Sequence, residues 1–548
     1  MDSPAHRPSA RIVLAALAIC AATIIAYLPA MRGGWLWDDD VHVTRNPALR
    51  DLAGLERIWF KVGITPQYYP LTHTSFWLQY QFWKADSSLP YHAVNVALHA
   101  ANALLVWLLL WRLKVPGAWL AAAIFAVHPV HVESVAWVTE RKNVLCGFFY
   151  LIAAICLLRA LLAARIGWRW YAAGAIAFVA ALLSKTVAAT LPAAVLLVLI
   201  WKQHRVTRSQ VLATFPLLVL GAAMGQLTAW LERTHVGASG AEFNLSMLDR
   251  IQIAGAAIWF YLGKLLMPAN QSFIYPRWRV DQWGAIGLLV PASIVLVIAV
   301  LWFARRQIGE GPLVAMLFFI GTLFPALGFV NVYPMRYSFV ADHFQYLASI
   351  GIIALMAAIL ARLGPWGILL PLVFAILTWF RAEVFSDDSL LWNDALAKND
   401  RAWIAHDQLG SIAAEHGDLD IAVGHFTRAI EIEPNHYEGY AGLSGVYQRA
   451  GDSAAAMQAM RRAVVAAPGK PITHFSLAGL LAANNDFDGA IAEYQQALRL
   501  DPTFAPAHLR LADIYDFLGR RDEAAASRKL GLELAREWLG GAAQPASR

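Results

Sequence analysis

Carboxylates, imidazoles and cations gather in this 548-residue chain at the ends of long apolar runs, in four clusters. The first is WDDDVHVTRN, with Asp38, Asp39 and Asp40 just ahead of Asn46. The second, YYPLTHTSFW, holds Tyr69, Thr72 and His73. The third, HPVHVESVAWVTERKN, holds His128, His131, Glu133, Glu140, Arg141, Lys142 and Asn143. The fourth, MRYSFVADHFQYLAS, holds Arg336, Asp342, His343 and Tyr346, and Lys185 stands alone in LLSKTVAATLP. Ionisable groups at membrane depth are costly, so they are candidates for function. Cations at a membrane mouth hold a phosphate and stabilise it as it leaves, while a carboxylate takes a proton from an attacking hydroxyl. The set therefore suits a reaction on a phosphate-bearing lipid. Blander readings stand beside it. An acidic triplet is commonly a solvated loop. His128, His131 and Glu133 suit hydrogen bonds between spans, or offer N and O donors to a divalent metal at a spacing that is no zinc signature.

The elements that must position these groups are membrane helices. The chain is 58% hydrophobic and 15% charged, with a mean hydropathy of +0.48, far from the composition of a soluble domain. Its net charge of +6 fits cytoplasmic loops and does not imply nucleic acid. Cys20, Cys146 and Cys156 lie in apolar runs without disulfide or zinc spacing, and no Walker loop or dinucleotide fingerprint points to a soluble nucleotide donor. Apolar runs at 11–31, 92–113, 117–137, 143–163, 169–184, 187–202, 211–231, 284–304, 311–330, 343–362 and 365–381 predict about eleven spans. The first is expected to remain as a signal anchor. Arg7, Arg11, Arg112, Lys114, Arg205 and Arg305 mark the cytoplasmic side. That pattern holds if 251–266 lies along the outer surface without crossing. Loop 32–91 then faces outward, as do Arg141, Lys142, Lys185 and Arg336, where the positive-inside rule expects few cations. An anionic ligand accounts for them.

From about 384 the pattern becomes soluble and periodic. Pro434, Pro468 and Pro502 stand 34 residues apart, and Gly417, Gly451, Asn485 and Gly519 keep the same step, as do Ala422, Ala456, Ala490 and Ala524. This is the tetratricopeptide period. The predicted organisation is a membrane domain over 1–383, a linker or partial-repeat helix over 384–400, four repeats over 401–536 and a flexible tail over 537–548. Such arrays form concave surfaces for peptides or proteins.

The ordered motifs resemble those of the transmembrane and tetratricopeptide-repeat (TMTC-type) O-mannosyltransferases, over nearly the whole chain. An aromatic-Asp-Asp motif with a later Asn matches Trp37, Asp38, Asp39 and Asn46. YYPLTHTSF, HPVHVESV with its basic corner, Ser184-Lys185, the segment Pro268 to Tyr275 and the segment Ala341 to Leu347 follow in order. His343 stands where the family pattern leads one to expect Arg, so its charge would depend on pH.

The resemblance implies an all-α polytopic bundle of the C-type (GT-C) glycosyltransferases followed by a tetratricopeptide solenoid. It implies an inverting transfer of mannose or another hexose from a polyprenyl-phosphate carrier to a hydroxyl, here Ser or Thr of exported proteins. Asp38 and Asp39 would contain the catalytic base, with Asp40 dispensable. Arg141, Lys142, Lys185, Arg336 and His343 are assigned to the lipid phosphate. Asn46, Tyr69, His73, His128, His131, Glu133 and Asp342 are assigned to the acceptor and sugar pocket. No cofactor is firmly expected, although a divalent metal is compatible with the residues. The partners are a lipid-linked donor in the membrane and a protein acceptor on the repeats. Composition and short loops suggest a bacterial inner membrane, with the N-terminus cytoplasmic and both site and repeats periplasmic. The alternatives are a non-catalytic membrane-anchored scaffold and a transferase acting on envelope glycan.

Overall fold

The computed structural model describes residues 10–539 and is all-α, with no strand among the described residues. Arg7 and the end of the expected tail, 540–548, lie outside them. Contacts divide the chain into Met1–Asp394 and Ala395–Arg548.

In the first unit every apolar run becomes helical. Among the described residues six helices are long and apolar enough to cross a membrane: Leu89–Arg112, Val138–Leu161, Thr186–Gln203, Arg208–Val236, Gly284–Ile308 and Trp366–Val384. The run expected as one span over 117–137 is broken. Ala118–Ala126 and Pro129–Ala136 meet at a bend of 53° and would make a seventh crossing if they act as one. The cause is local: Pro129 lacks a peptide donor, and the His128 imidazole accepts the Val130 N–H at 3.3 Å, capping the next turn. Four other expected runs form shorter apolar helices, Ala10–Ala26, Trp168–Leu182, Gly311–Ala326 and Ser349–Gly364. The segment containing 251–266 is a continuous helix, Met247–Leu266, started by a Ser246–Asp249 capping box. It carries Asp249, Arg250 and Lys264 and is not among the six.

Loop 32–91 is folded. It runs through a π-helical turn, Asp40–Thr44, a short 3-10 turn, Pro47–Leu49, and helices Leu52–Phe60 and Pro70–Trp83. Val43, Ala48, Leu49, Ile58, Phe76, Tyr80 and Tyr91 pack with Val138 as its core. Asn46 holds the corner. Its amide donates to the His42 carbonyl at 3.1 Å, and its oxygen accepts the Ala48 N–H at 2.9 Å.

Among the described residues the second unit begins with the end of helix Asp388–Lys398 and continues as four helix pairs: Trp403–His416 with Leu419–Ile432, Tyr437–Arg449 with Ser453–Ala466, Pro471–Ala483 with Phe487–Leu500, and Ala505–Phe517 with Arg521–Leu539. The periodic residues do what their types predict. Gly417, Gly451, Asn485 and Gly519 all take positive φ at the turns, where a helix needs a left-handed residue to end. Ala422, Ala456, Ala490 and Ala524 are buried where paired helices approach.

Gly54 tests the packing of the outer loop. A Cβ there would fall on the Ala48 carbonyl, a backbone atom that cannot swing aside. Gly54→Ala should lower stability by about 1–3 kcal/mol, read as a drop in the thermal midpoint of the detergent-solubilised protein.

Candidate active site

The approach to the acids is built on a strained residue. Trp37 has a φ of 42°, a conformation uncommon for a bulky side chain. Its N–H donates to Asp388 Oδ1 at 3.1 Å. Its ring stacks on Trp137 at 5.7 Å, and Phe273, Tyr337 and Trp392 meet it edge-on. This turn sends the next two aspartates into different surroundings.

Asp39 is fully buried and satisfied. Its Oδ1 accepts from the Thr139 N–H at 2.9 Å and the Thr139 hydroxyl at 2.6 Å, and its Oδ2 accepts from the Leu36 N–H at 2.9 Å. Burial pushes it up to about 8 against those donors. Asp38 differs. Its side chain is 31% exposed, Oδ2 stands 3.7 Å from His42 Nε2, and Oδ1 has no hydrogen-bond partner among the described residues. Burial pushes Asp38 up to about 7, opposed by the charge of Lys142. A carboxyl poised there is matched to proton abstraction near neutral pH. Asp40 faces outward, bonded to Thr44 and paired with Arg45.

Thr139 leads directly into the basic corner. Glu140 is buried, and its two oxygens are held by Lys142 Nζ at 2.9 Å and Lys185 Nζ at 3.2 Å. Asn143 donates to it as well, at 2.6 Å. One carboxylate thus gathers two ammonium groups, and the charge of Lys142 reaches Asp38. Trp137 lies 5.9 Å from Lys142.

The other predicted residues separate into groups. Arg141 is fully buried and turned away from the pair. Its guanidinium bonds Asn95, Gln79 Oε1 at 2.7 Å and the Tyr91 carbonyl at 2.7 Å, over the Phe76 ring. His343 comes to Glu133, Nδ1 to Oε1 at 2.6 Å. Its charge also acts on Glu140 and Asp38. Asp342 accepts from the Tyr275 hydroxyl at 3.1 Å and from Gln271, and burial pushes it up to about 7. His128 donates to the Leu265 carbonyl at 3.0 Å, and His131 bonds the Phe125 carbonyl and Ser349. Among the described residues no group of three or more His, Cys, Asp or Glu is placed to hold a metal. Arg336 bonds the Tyr333 hydroxyl and approaches Glu242. Tyr69 and His73 lie against the acid cluster, His73 bonding His42 at 3.3 Å; Tyr69 feels the charges of Glu232 and Glu140. A separate cavity of about 570 Å³ lies among the membrane helices, lined by Leu110, Tyr150, Leu191, Phe318 and Ile350.

Two residues of the arrangement carried no assignment from sequence. Glu140 was visible only as the acid directly before two cations. His42 was visible only as a histidine one helical turn beyond Asp38.

Known proteins share parts of this chain. Models described as tetratricopeptide repeat match residues 408–471 and 505–537, and one described as TPR repeat matches 480–519. A protein O-mannosyl-transferase of Caenorhabditis elegans is 24% identical over 79% of this chain and 65% of its own length. One of Drosophila melanogaster is 35% identical over 26% of this chain and 18% of its own. The chain thus spans less than two thirds of either relative. A solved structure of MamA overlays with a TM-score of 0.26 at 19% identity, covering 29% of this chain and 92% of that one.

The asymmetry of the acid pair has a measurable consequence. Asp39→Asn places an amide against three donors and should cost about 2–4 kcal/mol. Asp38→Asn should leave the thermal midpoint near that of the parent, because its Oδ1 accepts no hydrogen bond among the described residues and no backbone donor is left unmet.

Proposed function

Because this chain is homologous to the TMTC-type protein O-mannosyl-transferases and carries tetratricopeptide repeats, we propose that it is a membrane glycosyltransferase. It moves a hexose, mannose by analogy with those relatives, from a polyprenyl-phosphate carrier to a Ser or Thr hydroxyl of a protein. The observation that carries this reading is a partly open carboxyl, Asp38, that feels the charge of Lys142, one of two lysines gathered on Glu140.

In this reaction Asp38 takes the proton from the acceptor hydroxyl as its oxygen attacks the anomeric carbon. The lipid phosphate leaves with the bonding pair, and the sugar inverts. Lys142 and Lys185 stabilise the departing phosphate where water is scarce and charges act strongly. Asp39 does not touch the reactants; it fixes the backbone on both sides of Asp38. Arg141 ties helix Pro70–Trp83 to Leu89–Arg112 by its buried bonds, and the phosphate is left to the two lysines, with His343 beside them. The apolar cavity supports the reading as well. Tyr150 on its wall stands eight residues along the helix from Lys142, about 12 Å at the helical rise, which suits an isoprenoid chain. The repeats present the acceptor, and the site faces the outer side of a bacterial inner membrane.

The test is transfer by the purified full chain in nanodiscs, from polyprenyl-phosphate mannose to a Ser/Thr-rich peptide. Asp38→Asn should lower kcat by about 10²–10⁴. In the parent the rate should climb as pH rises through about 7, because the base works only when ionised. Full activity in Asp38→Asn, or a rate indifferent to pH across that window, refutes the assignment.

A further inference from the structure

His42 has no part in the chemistry above, yet it stands between Asp38 and helix Pro70–Trp83 and is 5% exposed. Its surroundings decide where its proton sits. His73 Nδ1 lies 3.1 Å from the Tyr69 carbonyl oxygen, which can only accept, so His73 carries its proton on Nδ1. The other nitrogen of a neutral His73, Nε2, is a bare acceptor. It faces His42 Nδ1 at 3.3 Å, the two rings stacked with centroids 5.4 Å apart. His42 therefore donates from Nδ1, and its own Nε2 is left with a lone pair 3.7 Å from Asp38 Oδ2. The backbone holds the two residues together, with the His42 N–H donating to the Asp38 carbonyl at 3.1 Å. The charged groups that face His42 are Asp38 on its own turn and Glu140 and Lys142 across the site. Burial, His73 and Lys142 all hold its imidazole below its usual range, and burial brings His73 to about 4, so both rings are neutral.

We propose that His42 is a positioning residue for Asp38: its bare Nε2, fixed by His73, favours the proton-bearing carboxyl and so strengthens Asp38 as a base. The inference rests on the reading of Asp38 as that base. With Asp38 ionised, two lone pairs face each other beyond hydrogen-bond range. When Asp38 takes the acceptor's proton, its O–H can turn to Nε2 and a hydrogen bond forms. A bond made only by the neutral acid raises its proton affinity. The proton passes from hydroxyl to Asp38, and His42 neither gains nor loses one.

Two measurements on the full chain in liposomes test this without turnover. Nitrogen-15 NMR of labelled histidines, with His42 assigned by its loss in His42→Asn, should find Nδ1 protonated and Nε2 bare. Infrared titration of the carboxyl band lost in Asp38→Asn reports the Asp38 midpoint. In His73→Leu the His42 proton is freed to move to Nε2 and bond the carboxylate, so the midpoint should fall by about one pH unit. His73→Gln, which keeps an acceptor oxygen, should restore it. A protonated Nε2 in the parent, or a midpoint unmoved or raised in His73→Leu, overturns the proposal. Transfer by Asp38→Asn would instead overturn the base assignment and leave these two results standing.

Discussion

Asp39 cannot remain buried without donors, and those it finds come from two distant stretches of chain. Leu36 lies three residues before it, and Thr139 a hundred residues after it. Satisfying this one carboxylate therefore pins the outer loop to the segment that opens helix Arg141–Leu161. The proposed base and cations flank that join. Asp38 is the residue before the pin, and Glu140 and Lys142 follow directly on the far side. Asp39 shares that join with the Trp37–Trp137 stack, with Val138 in the loop core and with the Arg141 bonds to Gln79 and Tyr91.

The second requirement is electrostatic. Two ammonium groups held close together repel, and at this depth little water screens them. Glu140 offsets that by accepting from both, and Asn143 adds a donor to the same carboxylate. Glu140 also places a second negative group near Asp38, which adds to the burial that keeps this carboxyl near neutral in its titration. In the proposed reaction the same local field holds an anion and tunes a base.

Much of the architecture was legible in the sequence, because period and hydropathy are local signals. The 34-residue step of Gly, Ala and Pro dictated the turns and contacts of the repeats, and each apolar run became a helix. The helix expected over 117–137 was harder. Hydropathy reads it as one span, whereas the chain breaks at Pro129 and the His128 cap starts a new turn. Within the site, residue types predicted the chemistry and could not predict the partners. Arg141 and Lys142 are neighbours in sequence and point to different places, one into a polar knot with Asn95 and Gln79, the other to Glu140. Asp38 and Asp39 likewise read as equivalent until the bonds of Thr139 separated them. Side-chain direction at a helix start depends on tertiary partners, and composition and spacing carry no record of those.

The account rests on a direct displacement at the anomeric carbon by a hydroxyl whose proton goes to Asp38. The most direct measurement is the anomeric configuration of the product, read by NMR after the purified chain has acted on β-linked polyprenyl-phosphate mannose and a Ser/Thr peptide. The account predicts a single α-linked hexose on a Ser or Thr. A β-linked product would contradict it, as would a peptide left unmodified while the donor is consumed.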